Sequence, residues 1–263
     1  MKRAHELDPS NSVYSFYLGY LTLMMKNPDR TRANEALALM KQHYDSCPGD
    51  YYETQFYSDA NLALGNPGEA LKAIKTLCDR NPHRMELQAR LAEAYARMGD
   101  HAASNETYDS IEVIMGKSMA ISSKKVANYI TMNDTASAIA EMRSLVESNP
   151  KNADYNIGMG GLFQSIGMRD SALHYLDLAQ QVEPDNGYTY LAKAQFFMMN
   201  GDSAQYEQQI HQALINENLG IDDKMQLLVQ SVKQIIQDKD STGRADSLFA
   251  VLIKPPPHEA VVH

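Results

Sequence analysis

Two short stretches and a few nucleophiles are the places where this chain would have to do chemistry. His258-Glu259-Ala260-Val261-Val262-His263 sets two histidines and a glutamate close together, in the manner of a helical zinc-protease motif. Two ligands on one helical face need an i, i+4 spacing, and these histidines are five apart. Gly158-Met159-Gly160-Gly161 suggests a phosphate-cradling loop, yet no strand-like run precedes it and the Rossmann spacing is not met. It lies inside a predicted helix, where glycines serve close helix packing. Cys47 and Cys78 have no CxxC partner, cannot make a metal site alone, and read as buried free thiols near the ends of neighbouring helices. No other histidine stands at ligand spacing with a second histidine, a cysteine and a carboxylate, and no serine sits in a nucleophile-elbow context. The residues predict no catalytic site, no metal and no cofactor. What remains is a surface, and the elements that would present it.

Those elements are punctuated with one period. Prolines at 48, 82, 150 and 184 and glycines at 65, 99, 167 and 201 are separated by 34 residues or by twice that, and Asn133 fills the midpoint of the longer glycine gap. Asparagine is the other residue type that tolerates positive φ, so it can replace a turn glycine. Two marks locked 17 residues apart (48 to 65, 82 to 99) describe a helix, a tight turn, a second helix and a stop, repeated. In the repeat that starts at Tyr51, residues 51–65 read as a first helix and Gly65-Asn66-Pro67 as the turn, with Asn66 the N-cap and Pro67 the first helical residue. The second helix runs to Asn81-Pro82, with Ala70, Leu71, Ile74, Leu77 and Cys78 at helical spacing. The same frame predicts pairs 85–98 with 100–114, 119–132 with 134–148, 153–166 with 170–182, and 187–200 with 202–216, capped by Asp100 and Asp134 among others. Upstream, 11–26 and 31–46 form a pair five residues too long, since Pro9 and Pro48 are 39 apart. Downstream, 222–237 and 242–253 form a degenerate seventh pair closed by Pro255-Pro256-Pro257.

Helices of about 14 residues are marginal alone, so stacking of neighbours must hold them. The expected domain is one continuous all-α solenoid over 1–263, with partial repeats at 1–9 and 258–263 that predict exposed apolar ends and a parent longer than this chain. The 263 residues carry 24 Lys+Arg against 33 Asp+Glu, a formal charge of −9, which disfavours nucleic acid and anionic membrane as partners. No apolar run reaches the length of about 18 residues that a membrane span needs. Compartment and oligomeric state stay open. Fifteen methionines, including Met24-Met25 and Met198-Met199, read as filler of irregular helix gaps.

The pattern resembles the tetratricopeptide repeat, a 34-residue helix–turn–helix unit, over nearly the whole chain. The family's small residue at position eight of the first helix matches Gly19, Ser58, Ala92, Gly160 and Ala194, and its small residue at position twenty matches Ala36, Ala70, Ala138 and Ala172. The aromatic at position eleven matches Tyr95, Tyr129, Phe163 and Phe197, while Asn61 departs from it. Ser104 and Tyr206 depart at position twenty, Tyr206 by enough bulk to predict local respacing of the sixth pair, and the family's tryptophan is missing. The resemblance implies a right-handed superhelix of about seven helix pairs.

It also implies where a ligand would lie, on a groove lined by first-helix positions two, five, six, nine, twelve and thirteen. In this chain the predicted groove starts with the aromatic Phe16, Tyr17, Tyr20, Tyr52 and Phe56 beside Gln55 and Asp59, and runs into a charged strip of Glu86, Arg90, Glu93, Arg97 and Lys124. Rings would anchor an extended or helical peptide and arginine would read a carboxylate. An alternative reading makes Glu86–Arg90 and Glu93–Arg97 solubilising i, i+4 pairs, and packs the rings on the extra residues of the long first pair. Lysine and asparagine clamps for acidic chaperone tails are absent at groove positions five and nine, and the 34-residue period with acidic charge disfavours the RNA-binding relatives. The expected function is a non-catalytic scaffold for a protein or peptide. Two alternatives stand beside it: a regulatory or recruiting arm of a larger enzyme or signalling protein, and capture of a glycan or small molecule at the aromatic end.

Overall fold

The computed structural model describes residues 1–25 and 28–237, and every regular element among them is a helix. The residues fall into two compact units, Met1–Asp134 and Thr135–His263. The first holds α1 (Lys2–Leu7), α2 (Ser12–Met24), α3 (Arg30–Ser46), α4 (Tyr51–Ala63), α5 (Pro67–Arg80), α6 (Met85–Arg97), α7 (His101–Met115) and α8 (Met119–Thr131). The second holds α9 (Thr135–Ser148), α10 (Ala153–Ser165), α11 (Arg169–Val182), α12 (Gly187–Met199), α13 (Ser203–Ile215) and α14 (Ile221–Gln237). First helices begin at residues 51, 85, 119, 153, 187 and 221, each 34 after the last, so α14 keeps the register too. The predicted helix at 242–253, the closing prolines and the terminal histidine motif lie outside the described residues.

Turn chemistry sets this register. Asn133 takes φ 58°, the positive-φ state of Gly65, Gly99, Gly167 and Gly201, as its place in the series predicted. At each of these turns an amide reaches back five residues to a first-helix carbonyl: Asn66 to Asn61, Asp100 to Tyr95, Asp134 to Tyr129, Met168 to Phe163 and Asp202 to Phe197, at 2.8–3.0 Å. That is the six-to-one bond of a Schellman ending, and it aims the chain into the second helix. Asp100 and Asp202 then cap the next helix, accepting from Ala103 and Gln205. Asn66 does not. It occupies the N-cap position without a side-chain cap bond and donates to Asn61 instead, leaving Pro67 alone to start α5.

Small residues decide how closely paired helices approach. A Cβ on Gly19 would collide with the Ala36 carbonyl oxygen, and one on Gly160 would come within 3.2 Å of the Ala172 carbonyl oxygen. Positions eight and twenty therefore meet as the tetratricopeptide resemblance implies, and Gly158–Gly161 packs inside α10 rather than cradling phosphate. The apolar faces close over these seams: Ile74, Leu77, Cys78, Leu87 and Ala94 bury one cluster in the first unit. Ala194, Ile210, Leu214, Leu219, Leu227 and Leu228 bury another in the second. Each large side chain buried this way contributes roughly 1.5–3 kcal/mol.

Some expectations hold and others need correction. The five extra residues of the first pair divide between α3, 17 residues against 14 in α5, and a connection to it that is two residues longer. Cys78 is buried, but Cys47 is exposed, and neither is bonded. Met40, Met142 and Met159 fill the core as predicted, whereas Met24, Met25, Met115, Met198 and Met199 stand exposed. At residue 116, where the proline series would place its next member, Gly116 takes φ 80°. The preceding Val113, Ile114 and Met115 are exposed, at the positions where α5 and α9 end in Asp79-Arg80-Asn81 and Glu147-Ser148-Asn149. Near the N-terminus, Met1 and Leu7 are exposed.

Candidate functional site

In the first unit the first helices α2, α4, α6 and α8 share one face, and neighbouring helices are joined across it by side-chain pairs with a fixed rule. Position nine of one helix meets position six of the next. Tyr20 stacks on Phe56 with ring centroids 4.7 Å apart and planes 26° apart. Asp59 forms an ion pair with Arg90. Glu93 accepts from the Lys124 ammonium at 2.6 Å. Flanking rungs reinforce the series: the Tyr17 hydroxyl donates to Glu53 at 2.9 Å and the Tyr51 hydroxyl to Glu86 at 2.6 Å. Arg84 lies over the Tyr51 ring at 4.5 Å and also bonds Glu86. The hydrogen bond from Tyr51, with Arg84 beside it, holds the Glu86 carboxyl below its ordinary range, and the hydrogen bond that the Tyr17 phenol donates to Glu53 raises it.

These rungs revise the sequence reading. Neither predicted i, i+4 pair forms: Glu86 bonds Tyr51 and Arg84, Arg90 bonds Asp59, and Glu93 bonds Lys124. The Asp59–Arg90 and Glu93–Lys124 partners are each 31 residues apart, three short of a repeat, and that spacing was the signal available in the sequence. Phe16 does not line the face. It is 0% exposed, edge-on to Tyr17 and tilted against His43, because position five of α2 turns into the seam with α3. Tyr52 is 66% exposed, with Tyr51 edge-on to it, and Gln55 is half-buried nearby. Arg97 is exposed and has no acidic partner among the described residues; with Glu93, Lys124, Tyr108 and Asn128 it borders a hollow of about 300 Å³.

Two groupings that look catalytic hold neighbouring helices together. Ser12 Oγ lies 3.0 Å from His43 Nδ1, and Asp50 lies 3.5 Å from His43 Nε2, a serine–histidine–aspartate line. A hydrolytic site also needs donors for the oxyanion. The nearest, the amides of Val13 and Tyr14, already donate to the Asn11 side chain, so the line ties α2, α3 and the start of α4 together. Lys125, 2% exposed, is held by Asp109 and Glu112, and 68 residues later Lys193 is held by Asp177 and Gln180 at the same two offsets. Both lysines pin a first helix to the preceding second helix. Among the described residues no group of three or more His, Cys, Asp or Glu is placed to hold a metal ion. No helix there is long and apolar enough to cross a membrane.

The sequence profile of the bacterial transcriptional activator domain matches residues 52–127, under a third of the chain. No curated protein matches. Among solved structures, a tetratricopeptide repeat protein from Parabacteroides merdae is similar over 96% of this chain and 90% of its own, at 12% identity and a TM-score of 0.47. MamA from Desulfovibrio magneticus covers 62% of this chain and 93% of its own at 16% identity, with a TM-score of 0.43. YrrB, described as a tetratricopeptide repeat protein with an unusual peptide-binding site, covers 73% and 97% at 10% identity, with a TM-score of 0.41.

Proposed function

We propose, for a chain built of tetratricopeptide-type helix pairs, that it is a non-catalytic scaffold that binds a protein or peptide segment and serves assembly. The observation that carries this reading is the cross-braced face of α2, α4, α6 and α8. Its rungs fix the Tyr20 and Phe56 rings and the charged side chains before any ligand arrives, which lowers the ordering entropy that binding must offset. Tyr52 supplies an open aromatic anchor beside the Tyr20–Phe56 stack. Among the described residues of this face, Arg97 is the cation free to read a carboxylate, since Arg90 and Lys124 are taken by Asp59 and Glu93. A segment with an aromatic or aliphatic anchor and an acidic residue further along fits this face.

The test is an affinity pull-down with the intact chain against a Phe56→Ala, Arg97→Ala double variant, both checked for unchanged helicity. Partners held by this face disappear from the variant. An unchanged set of partners would remove the face from the account.

A further inference from the structure

In the second unit the positions that carry rungs in the first hold Gly161 and Ala192, then Gln195 and Gln226. Nothing lies within 4 Å of where a Gly161 Cβ would stand. Beyond these positions two hollows adjoin at Tyr188. One, of about 640 Å³, lies between α12, α13 and α14, with Leu191, Ala194 and Leu227 among its apolar walls and Gln195, Gln226 and Gln230 among its polar ones. The other, of about 490 Å³, sits at the turn before α12 and is bordered by Asp154, Glu183 and Asp185.

The larger hollow is built in by a residue already singled out as a departure. Tyr206 stands where the other second helices carry alanine or, in α7, serine, and its hydroxyl lies 3.2 Å from Ser231 Oγ. A phenol ring thus spaces α13 from α14, and the gap beside it is the cleft, which Tyr206 itself borders. Asp223 stands at one end of the cleft and Lys233 at the other. Ten residues of helix separate them, about 15 Å, which an extended segment of four or five residues spans.

Charge says which segment. Glu183 accepts from the Ala153 amide and the Asn186 side chain, and Asp223 accepts from the Tyr188 hydroxyl. Among the described residues no lysine or arginine pairs with Asp154, Glu183, Asp185 or Asp223. Their field shows at Tyr188, whose phenol is raised by the bond to Asp223, by that carboxylate's charge and by Asp154. We propose that this trough receives an extended segment of a partner protein in which basic residues are followed by about four mostly aliphatic ones. The basic residues sit among the four carboxylates, the aliphatic side chains enter the cleft between α12 and α14, and the three glutamines bond the segment's backbone. The inference rests on the scaffold reading only in taking the partner to be a protein, and it needs nothing from the face of α2 to α8.

Two fluorescein-labelled peptide pools test it on the full chain by anisotropy: two arginines followed by four randomised aliphatic or serine residues, and the same with two glutamates in place of the arginines. The arginine pool binds about tenfold or more tightly than the glutamate pool, and weakens with added salt. An Asp154→Asn, Asp185→Asn double variant loses about five- to tenfold of that affinity, and Met198→Glu, which places a carboxylate at the exposed rim, loses aliphatic discrimination while helicity is kept. A charge-matched Glu106→Gln, Glu147→Gln control loses less than about twofold. Equal binding of the two pools, or binding indifferent to the first two variants, overturns the proposal. So does binding that appears only when residues 238–263 are removed, because the chain's own end would then be the occupant.

Discussion

The face of α2 to α8 and the face of α10 to α14 use the same helix positions in opposite ways. On the first, position nine and position six are filled with complementary groups, so Tyr20–Phe56, Asp59–Arg90 and Glu93–Lys124 satisfy one another. On the second, those positions shrink to Gly161 and Ala192 or carry glutamines, and the nearby carboxylates have no cation among the described residues. A self-satisfied face offers shape and a few open anchors, whereas an unsatisfied one offers electrostatic attraction. One repeat geometry thus yields two surfaces that select different chemistry, and neither follows from the fold alone.

Four measurements would break or sharpen this contrast. The largest effect is alkaline and belongs to the first unit. Burial pushes the Cys78 thiol up to about 11 from 9.0 and the Tyr108 phenol up to about 12 from 10.0. Both groups hold their proton more tightly folded than unfolded, so the stabilisation is complete below about pH 9 and is lost as pH rises through 11 to 12. Ionising either group therefore costs the fold about 2–3 kcal/mol relative to neutral pH. Urea titrations near pH 8 and near pH 11.5 should show a large alkaline loss, measurably smaller in Tyr108→Phe. An equal loss in that variant contradicts the assignment.

Next come the two equivalent lysines. Lys125→Met leaves Glu112, whose side chain is 9% exposed, with one cation fewer in a closed site, and lowers stability by about 3 kcal/mol. Lys193→Met frees Asp177, 47% exposed, to water and lowers it by only about 1 kcal/mol. Equal losses would show that the two brackets are not energetically distinct. A smaller effect follows for Asp59→Asn. Its pair with Arg90 is partly exposed, so the loss is about 0.5 kcal/mol and shrinks in high salt, read as a urea midpoint. The corresponding Gln195→Ala has no rung to lose, and its stability stays within about 0.3 kcal/mol of the parent.

How much of this was legible depended on whether the signal was local. Asn133 announced its positive φ by filling a gap in the glycine series, and Gly19 and Gly160 announced close packing by recurring opposite alanines, because backbone constraints act within one turn or one repeat. Arg90 announced nothing. Its local neighbour Glu86 has the right spacing for a helical pair, yet the helix before it presents Asp59 across the seam, and the cross-helix pair forms instead. Phe16 was misplaced for a related reason: its contacts, Tyr17 beside it and His43 on the next helix, bury it in the seam between α2 and α3. The cleft beside Tyr206 was half visible, as an oversized residue at a small position, but its walls come from three helices whose convergence no spacing encodes.

The contrast between the faces is tested most directly by backbone hydrogen exchange on the intact chain with the arginine-led pool near saturation. Added protection confined to α12, α14 and the turn before α12, with α4 and α6 unchanged, is the predicted result. Protection centred on α4 and α6, or none anywhere, would contradict it.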